Sequence, residues 1–337
     1  MRPIDLRDLL PRRVAAYDRA AVGELIRNRS VLITGAGGSI GSELTRQVAA
    51  LNPSRLTLID NCELNLYTAM EIAPAAKAFL TDVRDGEGVL RAFDYARPDV
   101  VFHAAALKHV PIVEDNPIEG VRTNVFGTMN VVQASDHYGV DKMVLISTDK
   151  AVDPCSVMGM TKRVAEMFCQ VGGKTIVRFG NVLGSSGSVV PLFERQIRKG
   201  GPVTITHLDM VRFFMSVDEA VELVLQAAAA EPATYILNMG EPVMIKDLAR
   251  DMIRLAGYMP DEMPIVPIGF RNGERLVERM TFDHETAVKT EIPHIMKVFS
   301  RRELSVDIFD GLMESLLDTQ STGHALEIIR SLVDVRS

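Results

Sequence analysis

Residues 31–41 read Val-Leu-Ile-Thr-Gly-Ala-Gly-Gly-Ser-Ile-Gly, and no other stretch limits the fold as much. Residues 31–34 form a short apolar run of the kind buried on both faces of a parallel strand. The run ends in glycines at 35, 38 and 41, and a helical pattern opens at Ser39 and continues to Leu51. Gly35 suits a tight turn, Gly38 lets a diphosphate approach the backbone near Ser39 and Ile40, and Gly41 lets the helix lie close on the strand. The N–H groups of the first helical turn then face the anion. A glycine-rich turn alone says little, but this strand–turn–helix context predicts a dinucleotide site.

The rest of the first half repeats the rhythm. Apolar runs recur at 56–59, 78–80, 100–102, 143–146 and 175–178, with helical patterns at 63–72, 86–95, 118–138 and 157–170 between them. Such alternation predicts a Rossmann-type α/β fold, a doubly wound parallel sheet. The rhythm breaks after Asn181, where Gly and Ser cluster over 184–188 and a helical stretch follows at 190–199. The expected organisation is a helical lead-in over 1–29, a dinucleotide-binding domain over 30–180, and a smaller substrate lobe over 181–337 with possible return of elements to the sheet. The 337 residues suffice for this arrangement.

Other strand ends extend the predicted cofactor site. Asp60 closes the second run about 20 residues beyond the glycines, where an acidic residue binds ribose hydroxyls. A carboxylate there repels a 2′-phosphate, and no Arg or Lys follows Asp60 until Lys77, so NAD is expected in preference to NADP. Asp82 and Val83 end the third run; they suit an adenine edge, though Asp82 equally suits a helix cap before Gly86. His103-Ala104-Ala105-Ala106 ends the fourth, where Ala104 and Ala105 would let a cofactor lie against the backbone and His103 reads as structural.

The fifth run leads into Ser147-Thr148-Asp149-Lys150, at the carboxyl edge where ligands of such sheets bind. Met158 and Lys162 follow on one helix. Asp149 and Lys150 could be a plain loop salt bridge, Met158 core packing, and Lys162 a solvated helix residue. Their convergence on one sheet edge favours a reaction centre. The net charge of −7, without a long basic run, argues against nucleic acid or an anionic membrane surface as partner. The three cysteines show no metal-ligand spacing, and no metal is expected. No signal-peptide pattern or membrane-length apolar run occurs, so a cytoplasmic location is expected.

Four segments taken together carry a specific resemblance. TGAGGSIGSEL, HAAALKHVP, STDKA-x-x-P-x-x-x-MG-x-TKR-x-AE and RFGNVLGSSGSVVP are similar to the bacterial polysaccharide-biosynthesis (CapD-like) branch of the extended short-chain dehydrogenases/reductases, over nearly the whole chain. That branch contains UDP-N-acetylglucosamine 4,6-dehydratases, and many members carry an N-terminal membrane region. Short-chain dehydrogenases normally carry Tyr-x-x-x-Lys. Here the tyrosine position is Met158, whose thioether cannot carry a proton, and the resemblance points to the C5-retaining subgroup. It implies that Lys162 holds the nicotinamide ribose and that Asn124 organises the active-site lysine through water. NAD would stay tightly bound and be recycled in each turnover. UDP-N-acetylglucosamine or a close UDP-amino sugar would be the substrate.

The catalytic assignment expected on this basis has Asp149 handling the C4 hydroxyl proton and protonating the C6 leaving group. Lys150 removes the C5 proton, and Thr148 bonds O4. As a base, Lys150 would need a pKa lowered by roughly 2–3 units, through burial or through Lys162. For the nucleotide sugar, Lys108, Asn181, Gly187, Ser188, Val190, Arg212 and Glu274 are expected contacts, with a surface lysine and a loop glutamate as the plainer readings of Lys108 and Glu274. His109 is open between site and structure. Cys155 reads as packing, and Arg163 and Glu166 as helix-surface residues. A UDP-sugar 4-epimerase and a catalytically silent NAD-binding sensor are the competing functions. The two long helices at 118–138 and 157–170 are expected to pair with a second copy in a homo-oligomer.

Overall fold

The structure, a computed structural model, describes residues 19–259, 262–302, 306–319 and 321–334. Most of the lead-in at 1–29 lies outside the described residues; its end forms a helix, Arg19–Ile26. Nine strands make the main sheet: β1 (Ser30–Thr34), β2 (Arg55–Asp60), β3 (Lys77–Leu80), β4 (Val100–His103), β5 (Lys142–Ile146), β6 (Thr175–Arg178), β7 (Thr234–Leu237), β8 (Glu285–Lys289) and β9 (Ile295–Ser300). Their spatial order is β8-β9-β7-β6-β5-β4-β1-β2-β3. β1 to β7 run parallel, while β9 pairs antiparallel with both β7 and β8.

The sequence explains this order. Every residue of β1, β4 and β6 is buried, as strands covered by helices on both faces must be. Valine and isoleucine fill them, and each such side chain contributes about 1.5–3 kcal/mol when fully buried. The chain leaves β1 toward β2 and β3 on one side and returns to β4, β5 and β6 on the other. A crevice therefore opens between the carboxyl ends of β1 and β4, the switch point where ligands of such folds bind.

Three features bear on the sequence reading. The return of elements to the sheet, allowed for after residue 181, takes the form of β7, β8 and β9, so residues beyond 181 complete the same core. The helix predicted over 118–138 is broken: α-helix at Pro117–Gly120, a wider π turn at Val121–Phe126, and α-helix again at Gly127–His137. A helical hydrophobic pattern does not register one extra residue per turn, and such turns often mark functional sites.

The third concerns Val157–Val171. Met158, Met160, Val164 and Met167 pack with Phe309, Met313, Ile328, Ile329 and Leu332 from the helices Val306–Asp318 and Thr322–Asp334 of the same chain.

Candidate functional site

The glycine loop is shaped by close approach. Gly35 has φ +64, and a Cβ there would lie 2.7 Å from the Ala105 backbone; at Gly41 it would lie 1.9 Å from the Gly35 carbonyl oxygen. Any side chain at 41 would push the Ser39–Ala50 helix off β1. At Gly38 only that same oxygen is near, at 3.3 Å. Gly38 is the N-cap of the helix and offers no side-chain cap, so the first N–H groups stay available to an anion. Ile40 packs against the sheet core, leaving only its backbone for a ligand. The Ser39 hydroxyl accepts the Ser186 N–H at 3.2 Å, tying this loop to the 184–188 turn.

Beside the loop lies a cleft of about 170 Å³ lined by Gly35, Gly38, Asp60, Asp82, Val83 and Ala104 to Leu107, among others. Asp60 is 6 % exposed. Its carboxylate accepts N–H groups from Gly37 at 2.9 Å and Cys62 at 3.0 Å. Asp82 accepts from the Arg84 N–H, the Arg84 guanidinium and the Asn61 amide. Burial pushes its carboxyl up, but these bonds from Arg84 and Asn61 hold it below the usual range. Asp85, not Asp82, caps the Gly86–Ala96 helix, accepting from Gly88 N–H at 3.0 Å. No lysine or arginine is among the residues lining this cleft. An unphosphorylated adenosine ribose fits these groups. His103 lies beneath, with its ring nitrogens 2.7 Å from the Thr34 hydroxyl and 2.9 Å from that of Thr128. Burial and Lys162 push its pKa down to about 3, so it stays neutral.

The reaction segment follows β5. Thr148 caps a short 3-10 turn, Asp149–Ala151, which carries Asp149 and Lys150. Asp149 is fully buried; its Oδ1 accepts the Thr148 hydroxyl at 2.8 Å and the Lys150 ammonium at 2.9 Å. Its Oδ2 is buried without a partner among the described residues. Lys150 also donates to Asn181 Oδ1 at 3.2 Å. The expectation that Lys162 sits against Lys150 and weakens its hold on a proton meets a different arrangement. The direct partners of Lys150 are a carboxylate and an amide oxygen. Lys162 instead donates to the Ile146 carbonyl at 2.7 Å, and burial pushes its pKa down to about 8 against the pull of Glu166.

Met158, grouped with the reaction centre by its place in the motif, is 2 % exposed in the apolar cluster with Val113, Val121 and Val164. It is core. Asn124 lies in the π turn and bonds both backbone groups of Leu107, at 2.8 and 3.0 Å, and the Thr161 hydroxyl at 3.0 Å. It therefore clamps the strand-end loop that lines the cofactor cleft to the helix bearing Lys162, and does not itself enter the cleft.

A second, larger cleft of about 260 Å³ holds Lys108, His109, Lys150, Asn181, Gly187, Ser188, Arg212 and Glu274. The site residues expected for a nucleotide sugar thus meet here, except Val190. That side chain is 1 % exposed in a separate core cluster, and Val189 lines the cleft in its place. The reason is helical: Val189 opens the Val189–Arg198 helix, and the next residue turns inward. Ser188 precedes this ten-residue helix without capping it, and its hydroxyl is buried without a partner among the described residues. Burial pushes Lys108 below its ordinary pKa. Arg212, an expected contact of the nucleotide sugar, lines the cleft and also donates to the carbonyls of Val211, Arg275 and Leu276 at 2.7–3.1 Å.

Those bonds reveal what the sequence concealed. The segment 271–285 is fastened at two points. Arg212 holds Arg275 and Leu276; Arg178 holds Met280 and Glu285. Arg178 also bonds Glu166, and Glu166 accepts the Ser147 hydroxyl and the Arg163 guanidinium. Arg163 and Glu166 are 1 % and 0 % exposed, which corrects their reading as surface residues. Burial raises the Glu166 carboxyl, but two arginines and a hydroxyl bring it down to about 2. The fastened segment delivers Arg271, Glu274 and Glu278 to the cleft. Arg271 and Glu278 were missed, although both flank the NGE motif in sequence.

Comparison with known proteins agrees with the architecture. The polysaccharide biosynthesis protein family matches residues 31–300. The probable polysaccharide biosynthesis protein EpsC of Bacillus subtilis is 43 % identical over 310 residues, 88 % of this chain and 52 % of that protein. The chain thus spans about half the length of this relative. A protein of Campylobacter jejuni named UDP-N-acetylglucosamine 4,6-dehydratase (inverting) is 33 % identical over 288 residues, 82 % of each chain. The solved UDP-glucose 4-epimerase of Thermus thermophilus, in complex with NAD, is 26 % identical with a TM-score of 0.65, covering 74 % of this chain and 90 % of that one. The chain belongs to the polysaccharide biosynthesis protein family.

Proposed function

We propose that this family member is an NAD-dependent UDP-N-acetylglucosamine 4,6-dehydratase of the C5-retaining kind, acting on a UDP-amino sugar in the cytoplasm. The observation that carries the reading is the separation of roles around the motif. Met158 is packed in the core, while Lys150 stands in the wall of the larger cleft with Asp149 and Thr148 behind it. NAD, held by the glycine loop and Asp60, would supply the acceptor for the sugar C4 hydride and return it to C6.

The chain's own groups then manage protons. Asp149 is sealed from the cleft, but the half-buried Thr148 hydroxyl already donates to it. The C4 hydroxyl proton passes to Thr148 as the Thr148 proton passes to Asp149. Reversal of the same relay delivers that proton to the departing C6 hydroxyl as water forms. Lys150, in its neutral form, removes the C5 proton and gives it back on the same face, which preserves configuration. The diphosphate is met by Lys108, Arg271 and the helix opening at Ser188, whose unpartnered hydroxyl awaits an acceptor or donor.

A UDP-sugar 4-epimerase is the second reading, favoured by the Thermus relative. Incubation with UDP-N-acetylglucosamine and NAD in D₂O, followed by NMR, separates them. A 4-keto-6-deoxy sugar with retained C5 configuration is expected. UDP-N-acetylgalactosamine alone would mean epimerisation, an inverted C5 would remove the retaining assignment, and unchanged substrate would favour an inert NAD-binding protein.

A further inference from the structure

The proposed chemistry leaves one group unexplained. Lys150 must be a neutral amine when it removes the C5 proton, yet its Nζ donates to two oxygens, so as a base it has to give up a proton. Asp149 lies 2.9 Å away and Asn181 Oδ1 3.2 Å away. A carboxylate inside the cleft would give that proton a place to go while the sugar is bound.

Glu278 is that carboxylate by position. It is 6 % exposed, lines the same cleft as Lys150, and pairs with Arg212 at 3.6 Å. The charged groups that face it are Lys150, Asp149, Arg212 and Arg275. Its segment is fastened by Arg212 on one side and Arg178 on the other, so the carboxyl is fixed within the cleft and not on a swinging loop.

We propose that Glu278 is the positioning residue that sets the charge of Lys150, taking its proton before the C5 step and returning it afterwards; this rests on the dehydratase reading above. When Asp149 gains the C4 hydroxyl proton, Lys150 loses its closest counter-charge. Its N–H proton passes across the cleft, by way of an intervening water, to a Glu278 oxygen, giving a neutral amine and a neutral acid. Burial already lifts the Glu278 carboxyl, and closing the cleft penalises both charged forms further. The amine then takes the C5 proton while the Asp149 proton leaves with the C6 oxygen as water. Lys150 returns its proton to C5, Glu278 returns its proton to Lys150, and every group ends as it began.

The test uses the full chain with NAD and UDP-N-acetylglucosamine in D₂O, following C5 deuterium incorporation and product between pH 6.5 and 10 for wild type, Glu278→Gln and Glu278→Asp. Glu278→Gln is expected to lose at least tenfold in C5 exchange near pH 7 and to regain most of it as pH rises and solvent strips the lysine. Glu278→Asp is expected to recover part of the neutral-pH rate, and UDP affinity to be unchanged in both. Loss of rate by the same factor at every pH, or unaltered exchange in Glu278→Gln, overturns the Glu278 role alone. A wild-type chain that makes no 4-keto-6-deoxy sugar overturns the dehydratase reading and the Glu278 role with it.

Discussion

The two clefts of this protein are built by opposite means. The cofactor cleft uses backbone and small side chains from the ends of β1, β2, β3 and β4, all within residues 34–107 apart from Thr123. Its geometry follows from parallel strands placed side by side. The larger cleft draws on residues 108–111, 150, 181–193, 204–212, 245 and 268–278, segments that no local rule brings together. What assembles them is a set of buried arginines bonding to carbonyls and carboxylates across the fold. One cleft is specified by strand order, the other by long-range polar fastening.

That contrast can be attacked at its strongest point first. Asp149→Asn keeps the size of the side chain but removes the proton acceptor behind Thr148. Turnover is expected to fall by about 10²–10⁴-fold, while NAD binding measured by calorimetry stays intact. Retained turnover would mean that the reaction does not run through the charged cleft.

A somewhat smaller effect should follow from loosening the fastening. Arg178→Met leaves Glu285 buried without its cation and Glu166 with Arg163 alone. Breaking a buried pair of this kind costs about 3–5 kcal/mol, readable as a lower urea midpoint. Because Arg178 also holds the Met280 carbonyl, UDP affinity is expected to fall more than NAD affinity. Equal losses of both would show that the clefts are not independently built.

The smallest effect belongs to the cofactor side and is a pH dependence. His103 has a folded pKa of about 3 against an ordinary 6.5. The unfolded chain therefore binds a proton that the folded chain refuses, and stability falls as pH drops from 6.5 toward 3. In His103→Gln this part of the acid loss, of order a few kcal/mol by the pKa difference, is expected to be absent from pH-dependent denaturant curves. An unchanged acid limb would assign the loss to other groups.

The same contrast explains what could be read from sequence. The sheet, the glycine loop and Asp60 were legible because each depends on a short run whose neighbours in the chain are its neighbours in space. Lys108, Asn181, Ser188 and Glu274 were found through a family resemblance, and the structure gathers them in one cleft with Lys150. Val190 failed by a single helical step. Arg163 and Glu166 failed because a charged residue on a helix is usually solvated; only a partner on another strand, Arg178, and one on a distant segment, Glu285, make burial tolerable. Glu278 had no local signal at all, since its meaning comes from Lys150 and Arg212 across the fold. The π turn at Val121–Phe126 escaped because one extra residue in a turn leaves the apolar periodicity nearly unaltered.

The covering of Val157–Val171 by the two last helices also bears on how the molecule comes into being. The face carrying Met158, Val164 and Met167 emerges from the ribosome well before Phe309 and Ile329 exist to cover it. At synthesis rates of about 5–20 residues per second, the roughly 135 residues between them take on the order of ten seconds. For that interval a newborn chain can hold a nearly complete sheet while displaying a methionine-rich stripe. Chaperone capture should therefore fall off once residues 306–334 have been released.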